Sequence, residues 1–201
     1  MNATVPQTLL QMRGLAIAPA RLSQSALVVI DAQGEYRIGQ AALPGVEPAA
    51  ARIADLLARA RAAGVPIFHV VQAGVADGLF DPGTERGAIL PQAAPVAGEA
   101  IITKRLPNAF AGTELHERLQ QTGRNTLIVA GFMTHMCISA SVRAALDLGY
   151  QTTVIADATA TRALPAPDDG APISADAVHR TALAELADRF AAVVNSAKIA
   201  A

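Results

Sequence analysis

The segment TLIVAGFMTHMCISASVRAALDLGY, Thr126–Tyr150, holds a strand, a turn and a helix in one short run. Thr126–Ala130 (TLIVA) is apolar without alternation, as expected of a strand buried on both faces. From about Thr134 to Leu148 the residues suit a helix, and Gly149 ends it. Thr134 is a good N-cap residue, which would put Cys137 in the first helical turn. A doubly buried strand feeding a helix is the repeating unit of a parallel sheet covered on both sides.

The same unit recurs on either side. Ala26–Ile30 (ALVVI), Pro66–Val71 (PIFHVV) and Ala100–Thr103 (AIIT) read as strands before it, and Thr152–Ile155 and Ala192–Val194 as strands after it. Helical patterns separate them at Glu47–Ala63, Thr113–Gln121 and Ser174–Arg189, with Ser174 as an N-cap. This alternation predicts an α/β chain with a parallel sheet and right-handed crossovers. Two loops rich in Gly, Pro and Asp, Ala73–Gly98 and Ala163–Ile173, are long enough to expect a functional role.

The chain has 201 residues, enough for a single domain over 1–201, with about 1–22 as an N-terminal extension. Net charge is -1 from 16 basic and 17 acidic residues, without a basic stripe, so nucleic acid is not expected as a partner. Hydrophobic residues make up 52%, yet no run approaches the length of a membrane span. The apolar surplus fits a filled core and an oligomer interface. No cleavable signal pattern is seen, so a cytoplasmic protein is expected. A single cysteine excludes an intrachain disulfide and leaves two readings, a small buried hydrophobe or a nucleophile.

Sites in open parallel sheets form outside the carboxyl ends of the strands. Asp31 follows ALVVI, Lys104 follows AIIT, and Gly131 and then Cys137 follow TLIVA. An acid, a cation and a thiol thus arrive at one edge. Taken singly, Asp31 reads as a turn or cap residue, Lys104 as a surface lysine and Cys137 as core; their convergence favours a site. Helix N–H groups and a nearby ammonium would favour the Cys137 thiolate. His135 is a rival base, but residues two apart on a helix do not face each other, so it reads as a pocket wall or surface residue. His69 reads as a hydrogen-bonded core or pocket residue, and His116 and His179 as ordinary helix residues.

Three runs, VVIDAQ (Val28–Gln33), ITKRLPNAFAGTEL (Ile102–Leu115) and above all GFMTHMCISASVRAALDLGY (Gly131–Tyr150), resemble the isochorismatase-like cysteine hydrolases. That family includes nicotinamidases and N-carbamoylsarcosine amidohydrolase. The resemblance runs from about Ala26 to Val194. It implies a three-layer α/β/α sandwich around a six-stranded parallel sheet. It also implies a triad of Cys137 as nucleophile, Asp31 as general base and acid, and Lys104 as the orienting cation. A non-proline cis peptide is implied at Phe132–Met133, with an oxyanion hole built from the N–H groups of Met133 and Cys137. Nicotinamidases hold a metal through an Asp-x-His pair and further histidines; residues 32–64 contain no histidine, so neither a metal nor a cofactor is expected. Isochorismatases proper lack the cysteine that stands here at position 137.

The reading that follows is a cysteine-dependent hydrolase of small amides, ureas or lactams. Substrate walls are expected from Gln33, Tyr36, Asn108, Phe110, His135 and the Ala73–Gly98 loop, which could also act as a lid. Phe110 could equally be core. Family members are usually dimers or tetramers, so a homo-oligomer is expected. Alternatives are a non-catalytic binding protein on the same fold, a thiol-redox protein, and an ether or ester hydrolase in which Asp31 alone does acid chemistry.

Overall fold

In a computed structural model, residues 5–168 and 170–200 are described. Six strands form one parallel sheet: β1 (Ala26–Ile30), β2 (Ile67–Gln72), β3 (Ala100–Lys104), β4 (Thr126–Phe132), β5 (Gln151–Ala160) and β6 (Ala192–Val194). The helices are α1 (Leu9–Met12), α2 (Glu35–Ile38), α3 (Val46–Ala62), α4 (Leu115–Gln121), α5 (Ser139–Asp147) and α6 (Ala175–Arg189). The strand order is β3-β2-β1-β4-β5-β6. The chain therefore starts in the middle, winds outward to β3, then returns beside β1 and winds the other way.

Alternate strand residues feed two separate cores. Leu27, Val29, Ile67 and Ile128 pack beneath Ile53, Leu56 and Leu57 of α3. Val28, Ile30, Phe68, Val70 and Val129 pack beneath Leu115 and Leu119 of α4, Val142 of α5 and Leu186 of α6. The three-layer α/β/α sandwich with its six-stranded parallel sheet is thus present as expected. Burial on both faces explains the unbroken apolar runs. Ser174 caps α6 by accepting from the Ala177 N–H, also as expected. In the N-terminal extension, α1 lies on α6, with Leu10 buried and the Leu9 N–H donating to Asp188.

Two local expectations change. The strand expected at Thr152–Ile155 runs on to Ala160, with a register irregularity against β4 between Val129 and Gly131. The helix expected from Thr134 to Leu148 is divided: a wide, π-type turn covers Thr134–Ile138 and regular α-helix begins at Ser139. The Ala73–Gly98 loop is tied down rather than free. Gly34 and Glu35 N–H groups donate to Ala88 and Arg86 carbonyls at 2.9 and 2.7 Å, and the Leu90 N–H donates to Ala32 at 2.8 Å. The buried Glu35 carboxylate accepts from the Phe80 N–H at 3.3 Å.

Gly131 explains why β4 can close on β1. Its φ is 115°, and a Cβ there would sit 1.9 Å from the Ile30 carbonyl oxygen. Any side chain at this position would push β4 away from β1.

Candidate active site

The reversal of winding falls between β1 and β4, where a doubly wound sheet opens a crevice at its carboxyl edge. Asp31 ends β1 with φ 51°, a left-handed conformation that Asp tolerates better than most residues. Its N–H is held by the Val70 carbonyl at 2.8 Å, and its own carbonyl accepts from Gln33 at 2.8 Å. The turn directs the carboxylate into the protein, where the residue is 0% exposed.

Lys104 ends β3, two strands from β1. That separation is about 9–10 Å at ordinary strand spacing, which only a long side chain crosses. Its ammonium lies 2.7 Å from Asp31 Oδ2, 3.3 Å from Cys137 Sγ and 2.7 Å from Gln72 Oε1. Lys104 is 1% exposed, and Cys137 6%. Asp31, Lys104 and Cys137 are therefore brought together, out of water, as the strand-end reading expected.

The electrostatics keep the Cys137 thiol protonated. Burial, and then the Asp31 carboxylate, push the Cys137 thiol up to about 12, against the pull of Lys104. The expectation of a ready thiolate is thus corrected: desolvation and a facing carboxylate outweigh one ammonium and a helix terminus. Burial likewise raises the Asp31 carboxyl above the ordinary range, more strongly than Lys104 lowers it. Neither Asp31 carboxylate oxygen has a hydrogen-bond partner among the described residues, and Oδ2 is held by the Lys104 charge at 2.7 Å. A proton acceptor with an open lone pair, a fixed cation and a protonated thiol stand in contact. That arrangement can move the sulfur proton to the carboxylate and stabilise the resulting thiolate.

Thr134 does not cap the helix. The turn has no side-chain cap, and the Thr134 hydroxyl pairs with His179 Nδ1 at 2.9 Å instead. The Phe132–Met133 peptide is cis. The Met133 N–H donates to no main-chain carbonyl among the described residues.

The other expected site residues divide. Tyr36 is buried edge-on against Phe80 and Phe132, with ring centroids 5.2 and 5.6 Å away. Burial, then the charges of Asp31 and Cys137, raise its hydroxyl. His135 pairs through Nδ1 with Thr161, and its Nε2 has no partner among the described residues. Gln33 is committed elsewhere: its amide donates to the Gln72 and Gly87 carbonyls at 3.0 and 2.8 Å and accepts from the Gln72 N–H at 2.8 Å. Asn108 accepts from the Phe110 N–H in its own turn, and Phe110 stacks on Tyr150 at 5.9 Å. The last two make structural contacts.

Gln72 and Thr161, which contact Lys104 and His135, were not singled out, and His179, read as an ordinary helix residue, pairs with Thr134. Gln72 had a signal, since it stands at the carboxyl end of a strand, as Asp31 and Lys104 do. Among the described residues no group of three His, Cys, Asp or Glu side chains forms a metal cluster. Nor is any helix among them long and apolar enough to cross a membrane.

Comparison with known proteins places the chain in a family. Residues 25–198 match the isochorismatase domain model. The secreted isochorismatase effector Isc1 of Verticillium dahliae is 37% identical, across 94% of this chain and 96% of its own. A maleamate amidohydrolase from Pseudomonas putida is 32% identical, across 68% of this chain and 72% of its own. The crystal structure of an isochorismatase from Pseudomonas putida KT2440 superposes with a TM-score of 0.93 and 45% identity, covering 97% of this chain and all of that one. With a family model covering most of its length and relatives of this likeness, the chain belongs to the isochorismatase family of hydrolases.

Proposed function

We propose that the protein is a cysteine-dependent amidohydrolase that cleaves a C–N bond in a small amide, urea or lactam through a thioester. One observation carries the reading: the Lys104 ammonium bridges Asp31 Oδ2 at 2.7 Å and Cys137 Sγ at 3.3 Å inside a dry site.

With a thiol held near 12, the sulfur needs a base at the moment of attack. Asp31 takes the Cys137 proton as sulfur bonds to the carbonyl carbon, and Lys104 balances the charge. The N–H groups of Met133 and Cys137 hold the oxyanion; one such donor contributes about 2.7–4 kcal/mol. The intermediate collapses, the C–N bond breaks, and Asp31 passes its proton to the departing nitrogen. Asp31 then accepts a proton from water as its oxygen attacks the thioester. Collapse frees the acid, and the proton returns to sulfur. Tyr36 and His135 wall the substrate, and Gln33 supports the site from behind. The maleamate relative is named for an amide substrate. A lone working thiol suits a reducing compartment such as the cytoplasm, although the Verticillium relative is named as secreted.

The test pairs wild type with Cys137→Ala on a panel of small amides, ureas and lactams. Ammonia or amine release is followed together with intact mass. The expected result is release in wild type only, with an acyl mass on the protein. Equal release from both proteins would sink the proposal.

One observation favours a second reading. A carboxyl raised by burial, as Asp31 is, is suited to donating a proton, which ether cleavage of the isochorismatase type requires. That activity would survive Cys137→Ala and be lost in Asp31→Asn.

A further inference from the structure

An ammonium has three donors and no acceptor. Lys104 forms an ion pair with Asp31 Oδ2 at 2.7 Å and donates hydrogen bonds to Cys137 Sγ and Gln72 Oε1. The third partner has no place in the mechanism above. Gln72 ends β2 in register with Lys104 on β3, so the lysine chain must pass it to reach Asp31. The contact also fixes which way the amide points. Only an oxygen can sit 2.7 Å from an ammonium, so Nε2 faces away and reaches no closer than the Ala73 carbonyl at 3.4 Å. The main chain beneath is clamped on both sides by Gln33.

In the thiol-hydrolase reading Asp31 is an anion at rest and a neutral acid once it holds the sulfur proton. The attraction that keeps Lys104 on Asp31 therefore weakens when the thiolate most needs a cation. The amide oxygen of Gln72 keeps the same charge throughout. We propose that Gln72 is a positioning residue, anchoring the Lys104 ammonium against the Cys137 sulfur while the charge on Asp31 changes. Its place in turnover rests on the thiol-hydrolase reading; the anchoring itself does not.

The test is therefore independent of any substrate. Alkylation of Cys137 by iodoacetamide is timed by intact mass at one fixed pH, since the rate follows the thiolate fraction. Gln72→Leu matches the side chain's bulk and removes the acceptor. It is expected to slow alkylation about tenfold, the equivalent of one pKa unit. The same substitution made on Lys104→Met, or on Lys104→Gln if the first does not fold, is expected to change nothing further, because the anchor's object is gone. Circular dichroism checks the fold of each variant. On a cleaved amide, Gln72→Leu should lower kcat and leave KM within about twofold.

An unchanged alkylation rate in Gln72→Leu would overturn the anchor. So would an equal slowing in the presence and absence of Lys104, which a merely structural role produces. If the cycle behaves as expected while the wild type hydrolyses nothing, the hydrolase reading fails and the anchor stands. Hydrolysis without coupling to Lys104 would mean the reverse.

Discussion

Glu99 and Asp31 are both carboxylates withdrawn from water beside a cation, at opposite ends of one sheet, and the protein treats them in opposite ways. Glu99 lies just ahead of β3, with its side chain 8% exposed. It accepts from Arg61 Nε at 2.7 Å and Nη2 at 3.0 Å, from His69 Nε2 at 2.8 Å and from the Val96 N–H at 2.9 Å. Burial alone would raise it; the bonds from Arg61, Val96 and His69 outweigh burial and hold it at about 2. Asp31 is more deeply buried, has one ammonium on one oxygen, and rises. A saturated carboxylate has nowhere to receive a proton, so Glu99 ties α3 to the sheet. An unsaturated one beside a thiol is prepared to take one. The residue types are nearly the same, and the number of donors separates scaffold from chemistry.

The largest expected effect lies in turnover. Asp31→Asn should lower kcat/KM about 10²–10⁴-fold, the usual worth of a general acid–base group. Glu99→Gln should leave it within about threefold. A comparable loss from both would erase the distinction. Stability should show the opposite pattern. Removing the charge of Glu99 leaves Arg61 and His69 underpaired, and Glu99→Gln should lose about 2–3 kcal/mol in urea unfolding with an unchanged m value.

The pH responses sharpen the contrast further. In the proposed mechanism the base form of Asp31 is the active one, so a raised pKa is expected to lift the acid limb of kcat/KM above the ordinary carboxylate range. Glu99 is depressed in the folded state. Its stabilisation is full above its ordinary value of 4.5 and fades as pH falls toward about 2. Thermal melts of wild type and Glu99→Gln should therefore converge in acid and diverge toward neutrality. The smallest effect is expected from Thr134→Val, which removes the bond to His179. It should lose about 1 kcal/mol of stability, with turnover changed less than about tenfold, because this hydroxyl supports the turn that carries Cys137 without touching Asp31, Lys104 or Cys137.

Strand positions and the convergence of Asp31, Lys104 and Cys137 were legible in the sequence because burial on both faces leaves a one-dimensional mark, the unbroken apolar run. The strand-end rule then needs no knowledge of side-chain paths. What depends on such paths left no mark. Gln72 follows PIFHVV as an ordinary polar residue, and only the route of Lys104 across β2 gives it meaning. The wide turn at Thr134–Ile138 uses residues that also suit a regular helix. The thiol was misread because sequence shows the helix start and the lysine but not the depth of burial that outweighs them. Glu99 and His69 are thirty positions apart in the chain, without a spacing that announces their pairing.

The ties between residues 32–35 and the loop after β2 bear on how the protein chooses what it binds. A wall fastened by several main-chain bonds and a buried glutamate has little freedom left to lose when a ligand arrives, so ordering of that loop does not oppose affinity. It also cannot wrap a misfit. If this loop walls the proposed site, selection is expected to work as in a rigid sieve, with a compound of the wrong shape refused at entry.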